Sequence, residues 1–373
     1  MCRRMETDMG MIRFGLIGSG WRAEFYLRIA KAVPELFELT SVLIRDSEKG
    51  RIFSDKMDVP VVNTVDELIE TKPDYLVLSV KRGITSKYLP VLFKRGIPVL
   101  CETPPGEDMK ELESVWDNYK IYGGKIQIAE QYFAQPLYAA WNKAIETGRI
   151  GTVQNINISS LHGYHGASII RRFLNVGYEN FRVYGKRFWF DVTETYGRDG
   201  MVFDGESFQC ARDRLTIEFE NGKVAFFDFS DPAQYHSFIR TRQLTVQGDR
   251  GEIDDLTIRY LTKENVPVTQ QLNRIDLGVY GNQEWSHYGL MLGEEFLYRT
   301  PFINARLNDD EIAVATCMKQ MWEYVQEGKE FYSLKEALQD MYICLMMEEA
   351  LANPNKEIES KTQKWAKDDC RIR

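Results

Sequence analysis

The sequence predicts an α/β protein: an N-terminal doubly wound parallel sheet, then an α+β domain with an open, mostly antiparallel sheet. Three observations carry this. Short apolar runs alternate with helical patterns up to about Ile126, strand-like runs joined by tight turns dominate after it, and a glycine-rich turn follows the first strand. Alternation of the first kind implies parallel strands, which need crossover helices.

The elements follow in order. Met11–Ile17 reads as a strand and Arg22–Ala32 as a helix; Phe37–Ile44, Asp74–Ser79, Pro98–Cys101 and Gly124–Ala129 read as further strands. Thr85–Arg95 and Lys110–Tyr119 supply helices between them. Helical Leu137–Thr147 then leads into strands at Gln154–Ser160, Arg187–Val192, Arg214–Glu220, Lys223–Phe229, Gln243–Gln247 and Glu252–Tyr260. Asn221-Gly222 lies between two alternating runs, a hairpin signal because this dipeptide adopts positive φ readily. Helices return at Asp310–Val325 and Leu334–Ala352.

With 373 residues the chain exceeds the roughly 250–300 that one core supports, so two domains are expected, residues 1–126 and 127–373, with closing helices over 310–352. The formal charge is −8 and no basic run is present, which argues against nucleic acid as a partner. Cys2, Cys101, Cys210, Cys317, Cys344 and Cys370 are scattered without metal or disulfide spacing, so reduced thiols are expected. The start lacks a signal-peptide core and no run is long enough for a membrane helix, which makes the cytoplasm the expected compartment.

The glycine-rich turn carries the chemistry. Gly18-x-Gly20-x-x-Ala23 closes a strand and opens a helix. In that context the first glycine permits the turn, the second lets main chain approach a pyrophosphate, and the small third residue allows helix–strand packing. Unpaired N–H groups at the helix start favour the phosphates. The expectation is a dinucleotide-binding Rossmann domain, with Gly18, Gly20, Trp21, Arg22 and Ala23 on the cofactor and Ser79 at the end of a neighbouring strand. After the second strand, Arg45 stands where a 2′-phosphate partner is expected, which leans toward NADP; with the register shifted, Asp46 serves the ribose of NAD instead.

On these residues the chain resembles the Gfo/Idh/MocA oxidoreductase family. The segment Gly96–Pro104, ending Glu102-Thr103-Pro104, looks like the family's E-K-P segment; Glu146–Val153, Gly248–Ile253, Ser333–Ala337 and Glu359-Ser360 are also similar. The resemblance spans nearly the whole chain. It implies hydride transfer between NAD(P) and a hydroxyl carbon of a sugar or cyclitol, with the nicotinamide over the E-K-P segment. It also implies that a lysine there, and a histidine of a G-x-H-x-x-D segment, handle the proton.

This sequence departs at that place. Thr103 replaces the lysine and cannot act as a cation or a neutral-pH acid. Gly163-Tyr164-His165 matches G-x-H, with Ser168 in place of the aspartate. His165 is then the candidate acid/base, assisted by Tyr164 or by Lys81, which follows a strand end and is otherwise a solvated lysine. Arg171 and Arg172 are candidates for an anionic substrate group or for surface ion pairs, and Gln131 and Tyr132 for the substrate pocket. His162 and His165 alone do not make a metal site, and His236 and His287 read as structural. Two other functions stay open: a ligand or nucleotide sensor that has lost hydride chemistry, and NAD-assisted glycoside cleavage or elimination. The aromatic runs Phe188–Phe190 and Phe226–Phe227 suggest a homodimer or homotetramer, unless they alternate into the core, as at least half of them are expected to do.

Overall fold

A computed structural model describes residues 10–197, 200–231, 233–234, 237–278 and 285–367; Arg3, Arg4, Cys2, Cys370 and His236 lie outside the described residues. The chain forms two compact units. The first comprises 1–136, 276–288 and 300–338, and the second 137–275, 289–299 and 339–373. Where the sequence suggested a division at residue 126, the units interleave, and the Asp309–Glu327 helix belongs to the first.

The first unit is built on a six-stranded parallel sheet: β1 (Ile12–Ile17), β2 (Phe37–Leu43), β3 (Val61–Val62), β4 (Tyr75–Leu78), β5 (Val99–Cys101) and β6 (Ile126–Ile128). Its order is β3-β2-β1-β4-β5-β6, so the winding reverses between β1 and β4. Open α/β sheets bind ligands in the crevice beyond the strand ends at such a point. Ile12, Phe14, Leu16 and Tyr75–Leu78 are buried, as strands covered on both faces require. The crossovers are α1 (Trp21–Ala32), α2 (Ser47–Met57), α3 (Val65–Glu70), α4 (Thr85–Lys94) and α5 (Met109–Tyr122). The Asp309–Glu327 helix lies against this unit, where the Tyr75 hydroxyl donates to the Met318 carbonyl at 3.0 Å.

The second unit is built on an eleven-stranded sheet, mostly antiparallel among the described residues. Strands Ser207–Phe219 and Val224–Phe229 form the expected hairpin, with Gly222 at φ 82°. Leu215, Ile217 and Phe219 point inward and Arg212, Arg214 and Glu218 outward, the period-2 pattern of a sheet with one covered face. The run Glu252–Tyr260, expected as one strand, is two: Gly251–Asp254 and Thr257–Leu261, reversed at Asp255 with φ 49°. Aspartate tolerates that left-handed conformation, and this one also accepts the Leu244 N–H at 2.8 Å. Gly166 lets the Gly163–Leu174 helix sit close on the sheet: a Cβ there would lie 2.7 Å from the Phe227 ring. The aromatic runs divide unevenly. Phe227 is buried, whereas Phe188, Trp189, Phe190 and Phe226 are exposed, so fewer turn inward than alternation suggested.

Candidate functional site

In the first unit the glycine turn has the geometry that the sequence suggested. Gly18 has φ 123°, and a Cβ there would lie 1.9 Å from the Ser79 carbonyl oxygen. Only glycine lets the ends of β1 and β4 approach this closely, and the Ser79 N–H donates to the Ile17 carbonyl at 2.9 Å. Gly20 is different. It is extended, caps α1 without any side-chain bond, and a Cβ on it would meet nothing within 4 Å. As the N-cap it offers no side chain to the first N–H groups of α1, and a helix start of that kind suits an anion. Ala23, in the first turn of α1, is fully buried. Trp21 is 52% exposed and packs edge-on against Phe25.

Arg22 does not stand free. Its Nη1 lies 2.7 Å from Asp310 Oδ2 and its Nε 3.3 Å from Glu102 Oε1. The Tyr26 hydroxyl donates to the same Glu102 oxygen at 2.6 Å. Burial opposes the Arg22 charge, but Glu102 and Asp310 outweigh it and hold the guanidinium protonated. Three distant stretches, namely the glycine turn, the Glu102-Thr103-Pro104 segment and the later helix, thus share one ion-pair group. Thr103 is half-buried and precedes a cis Pro104.

At the end of β2, Asp46 is occupied structurally. Its Oδ1 caps α2, accepting from the N–H groups of Glu48 and Lys49 at 3.1 and 3.0 Å. Arg45 is exposed. Lys81 is exposed in the loop between β4 and α4. Gln131 is buried in a short 3-10 turn after β6, and its Nε2 and that of Gln135 donate to Asp310 Oδ1 at 3.4 and 3.1 Å. The Gln131 Oε1 is buried with no donor. Tyr132 is half-buried. His287 is buried in this unit with Nδ1 2.7 Å from Asp276 Oδ1.

Glu130, which no sequence motif singles out, is fully enclosed beside these groups. Burial pushes its carboxyl up to about 8, so it keeps its proton at neutral pH in the fold and loses it near 4.5 when unfolded. The folded form therefore holds the extra proton, and its stability falls as pH rises between those values. Glu130→Gln is expected to relieve this: from pH 6 to 8 wild type should lose roughly 2–3 kcal/mol relative to the variant, at 1.36 kcal/mol per pH unit. Urea unfolding of both proteins at several pH values measures the gap, and parallel curves would refute the assignment.

In the second unit His165 lies in the first turn of the Gly163–Leu174 helix, half-buried, with the His162 and Tyr164 rings edge-on at 5.0 and 5.3 Å. Ser168 turns its hydroxyl back to the His165 carbonyl at 2.9 Å, so it does not take up the carboxylate's role. The two arginines part company. Arg171 is buried against Asp340 at 2.8 Å and lies near the Tyr178 ring, set in the core, whereas the sequence offered it to a substrate anion. Its charge is neutralised within the core. Arg172 is exposed, with Nε 3.4 Å from Asn142 Oδ1. Sequence reasoning could not foresee Asp310 or Asp340, since they lie 288 and 169 residues from their partners in the chain.

Among the described residues no helix is long and apolar enough to cross a membrane, and no three His, Cys, Asp or Glu gather as a metal site. Cys101, Cys210 and Cys317 are buried free thiols.

Residues 12–130 match the model of the Gfo/Idh/MocA group, described as an oxidoreductase family with an NAD-binding Rossmann fold. No curated protein matches the chain. Among solved structures, the chain is similar to an oxidoreductase from Agrobacterium radiobacter in complex with NAD+, L-tartaric acid and magnesium. That match has 13% identity and a TM-score of 0.67, covering 94% of this chain and 98% of that one. A myo-inositol dehydrogenase from Corynebacterium glutamicum is similar at 14% identity and a TM-score of 0.64, over 95% and 100% of the two chains. A putative myo-inositol dehydrogenase from Sinorhizobium meliloti follows at 16% and 0.62, over 93% and 99%. At these identities the likeness establishes the fold.

Proposed function

We propose that the protein is an NAD(P)-dependent oxidoreductase that moves a hydride to or from a hydroxyl carbon of a sugar- or polyol-like small molecule. The observation that carries this is the pair of glycines at the β1–β4 switch point: Gly18 closes the turn on Ser79 and Gly20 leaves main chain open to an anion. When bound, the dinucleotide supplies the hydride-accepting or hydride-donating ring. The chain's own residues do the rest. Gly18, Gly20, Trp21 and Ala23 shape the phosphate turn, and Arg22 ties it to Glu102. Glu102, Thr103 and Pro104 form the floor for the nicotinamide. Arg45, exposed where Asp46 is taken up as a cap, favours NADP over NAD. His165 with Tyr164 holds or releases the hydroxyl proton, since imidazole titrates near neutrality. Lys81, Gln131 and Tyr132 face the substrate, and Arg172 stands ready for a substrate anion. The protein works in the cytoplasm as a homodimer or homotetramer that covers Trp189, Phe190 and Phe226.

A second reading, a nucleotide-binding sensor without hydride chemistry, is favoured by Thr103 in place of a lysine and by Ser168 bonded to its own helix. Calorimetry with NAD+ and NADP+, followed by absorbance at the reduced-nicotinamide band with a panel of polyols, separates the two. Binding with turnover is expected; binding without turnover on any polyol would leave the sensor, and no binding would end both.

A further inference from the structure

We propose that the Glu102–Arg22–Asp310 group sets the redox form of the cofactor that this protein holds: the oxidised, cationic dinucleotide binds more tightly than the reduced one, with Glu102 and Asp310 as the determining residues. The inference rests on the reading that the nicotinamide lies over Glu102-Thr103-Pro104.

The charge balance carries it. Two carboxylates meet one guanidinium, with Asp310 at 2.7 Å and Glu102 at 3.3 Å from Arg22, so the group holds one negative charge in excess. Position 103 adds no compensating cation, because it is threonine. A neighbour adds an acceptor: Gln131 Oε1 is buried without a donor, while Gln131 and Gln135 each turn one amide N–H to Asp310 Oδ1. The three side chains are only 12–29% exposed, so water screens this charge incompletely.

The oxidised nicotinamide ring carries a positive charge and the reduced ring none, whereas adenosine, riboses and diphosphate are the same in both. Their contributions cancel in the ratio of the two dissociation constants, which isolates the field at the ring. One uncompensated unit charge within about 12 Å, at an effective dielectric of about 20, corresponds to about tenfold in that ratio. Glu130 adds a pH dependence. It is buried near Arg22 on α1 and near Asp310 and Cys317 on the Asp309–Glu327 helix, accepts the Tyr132 N–H, and ionises only above about pH 8. Burial keeps the Cys317 thiol neutral throughout that range.

The test is calorimetry of the whole chain at pH 7 with NAD+ and NADH, and in parallel with NADP+ and NADPH. The oxidised form is expected to bind about tenfold tighter, Asp310→Asn or Glu102→Gln to bring the ratio toward one, and the wild-type ratio to climb from pH 7 to 9 but stay flat in Glu130→Gln. Equal wild-type constants, or an Asp310→Asn that weakens both forms by one factor, overturn the proposal. Should the Asp310 and Glu102 variants fail to fold, the wild-type ratio and its Glu130-dependent pH course decide. If no dinucleotide binds in any form, the cofactor reading itself falls, a result distinct from equal binding.

Discussion

Asp340→Ala is expected to destabilise the protein by about 3–5 kcal/mol, read as a fall in the urea midpoint with little change in slope. Asp340 is wholly buried and Arg171 nearly so, with Nη1 and Oδ1 2.8 Å apart. Arg171 also donates from Nε to the Gly177 carbonyl at 3.0 Å and lies 5.3 Å from the Tyr178 ring centre. Removing the carboxylate strands a guanidinium that cannot shed its proton, in a place where water does not reach it. The double variant Arg171→Met with Asp340→Leu should recover most of the loss, because the cost lies in the uncompensated charge and not in the pair as such. If instead Asp340→Ala costs under about 1 kcal/mol, in the range of an exposed pair, the arginine is reaching solvent. Its reading as a substrate ligand would then return.

The same residue shows what a sequence conveys and what it withholds. Arg171 and Arg172 look equivalent side by side on a helix, and only the fold turns one into the core and leaves the other at the surface. Long, strongly patterned elements were legible: Leu334–Ala352 was expected to the residue, and β1, α1, β4 and α4 to within one at each end. α2 was not, because Gly50 is its one buried residue and no apolar stripe announces it. Its signal was chemical, the Asp46 cap, and that same aspartate had been held open for a ribose. α3 carries a Thr64–Glu67 capping box that could have revealed it. The glycine turn between β1 and α1 was readable because its geometry is local. The Arg22–Asp310 pair was not, since it joins residues 288 positions apart through a helix that periodicity alone assigns to no particular neighbour.

The two glycines of that turn should fail in different ways, and the difference is the sharpest test of what the turn is for. Gly18→Ala drives a Cβ to 1.9 Å from the Ser79 carbonyl, a main-chain atom that cannot swing aside, at φ 123° where alanine is strained. The loss should exceed about 4 kcal/mol of stability, with nucleotide binding lost as a consequence. For Gly20→Val, an added Cβ meets nothing within 4 Å beyond its chain neighbours, and the extended backbone at φ −82° and ψ 177° accepts a β-branched residue such as valine. Its stability should therefore stay within about 1 kcal/mol of wild type, the scale of an N-cap change. Yet on the proposed reading a diphosphate needs main chain at position 20 to stay bare so that it can reach the first N–H groups of α1. Dinucleotide affinity should drop at least about 100-fold, near 2.7 kcal/mol, as the diphosphate is held off those donors. Thermal melts and calorimetry on both variants separate stability from affinity. A Gly20→Val protein that melts and binds like wild type would mean that the opening faces solvent for no reason connected with phosphate, and the cofactor assignment would have to be sought elsewhere on the sheet.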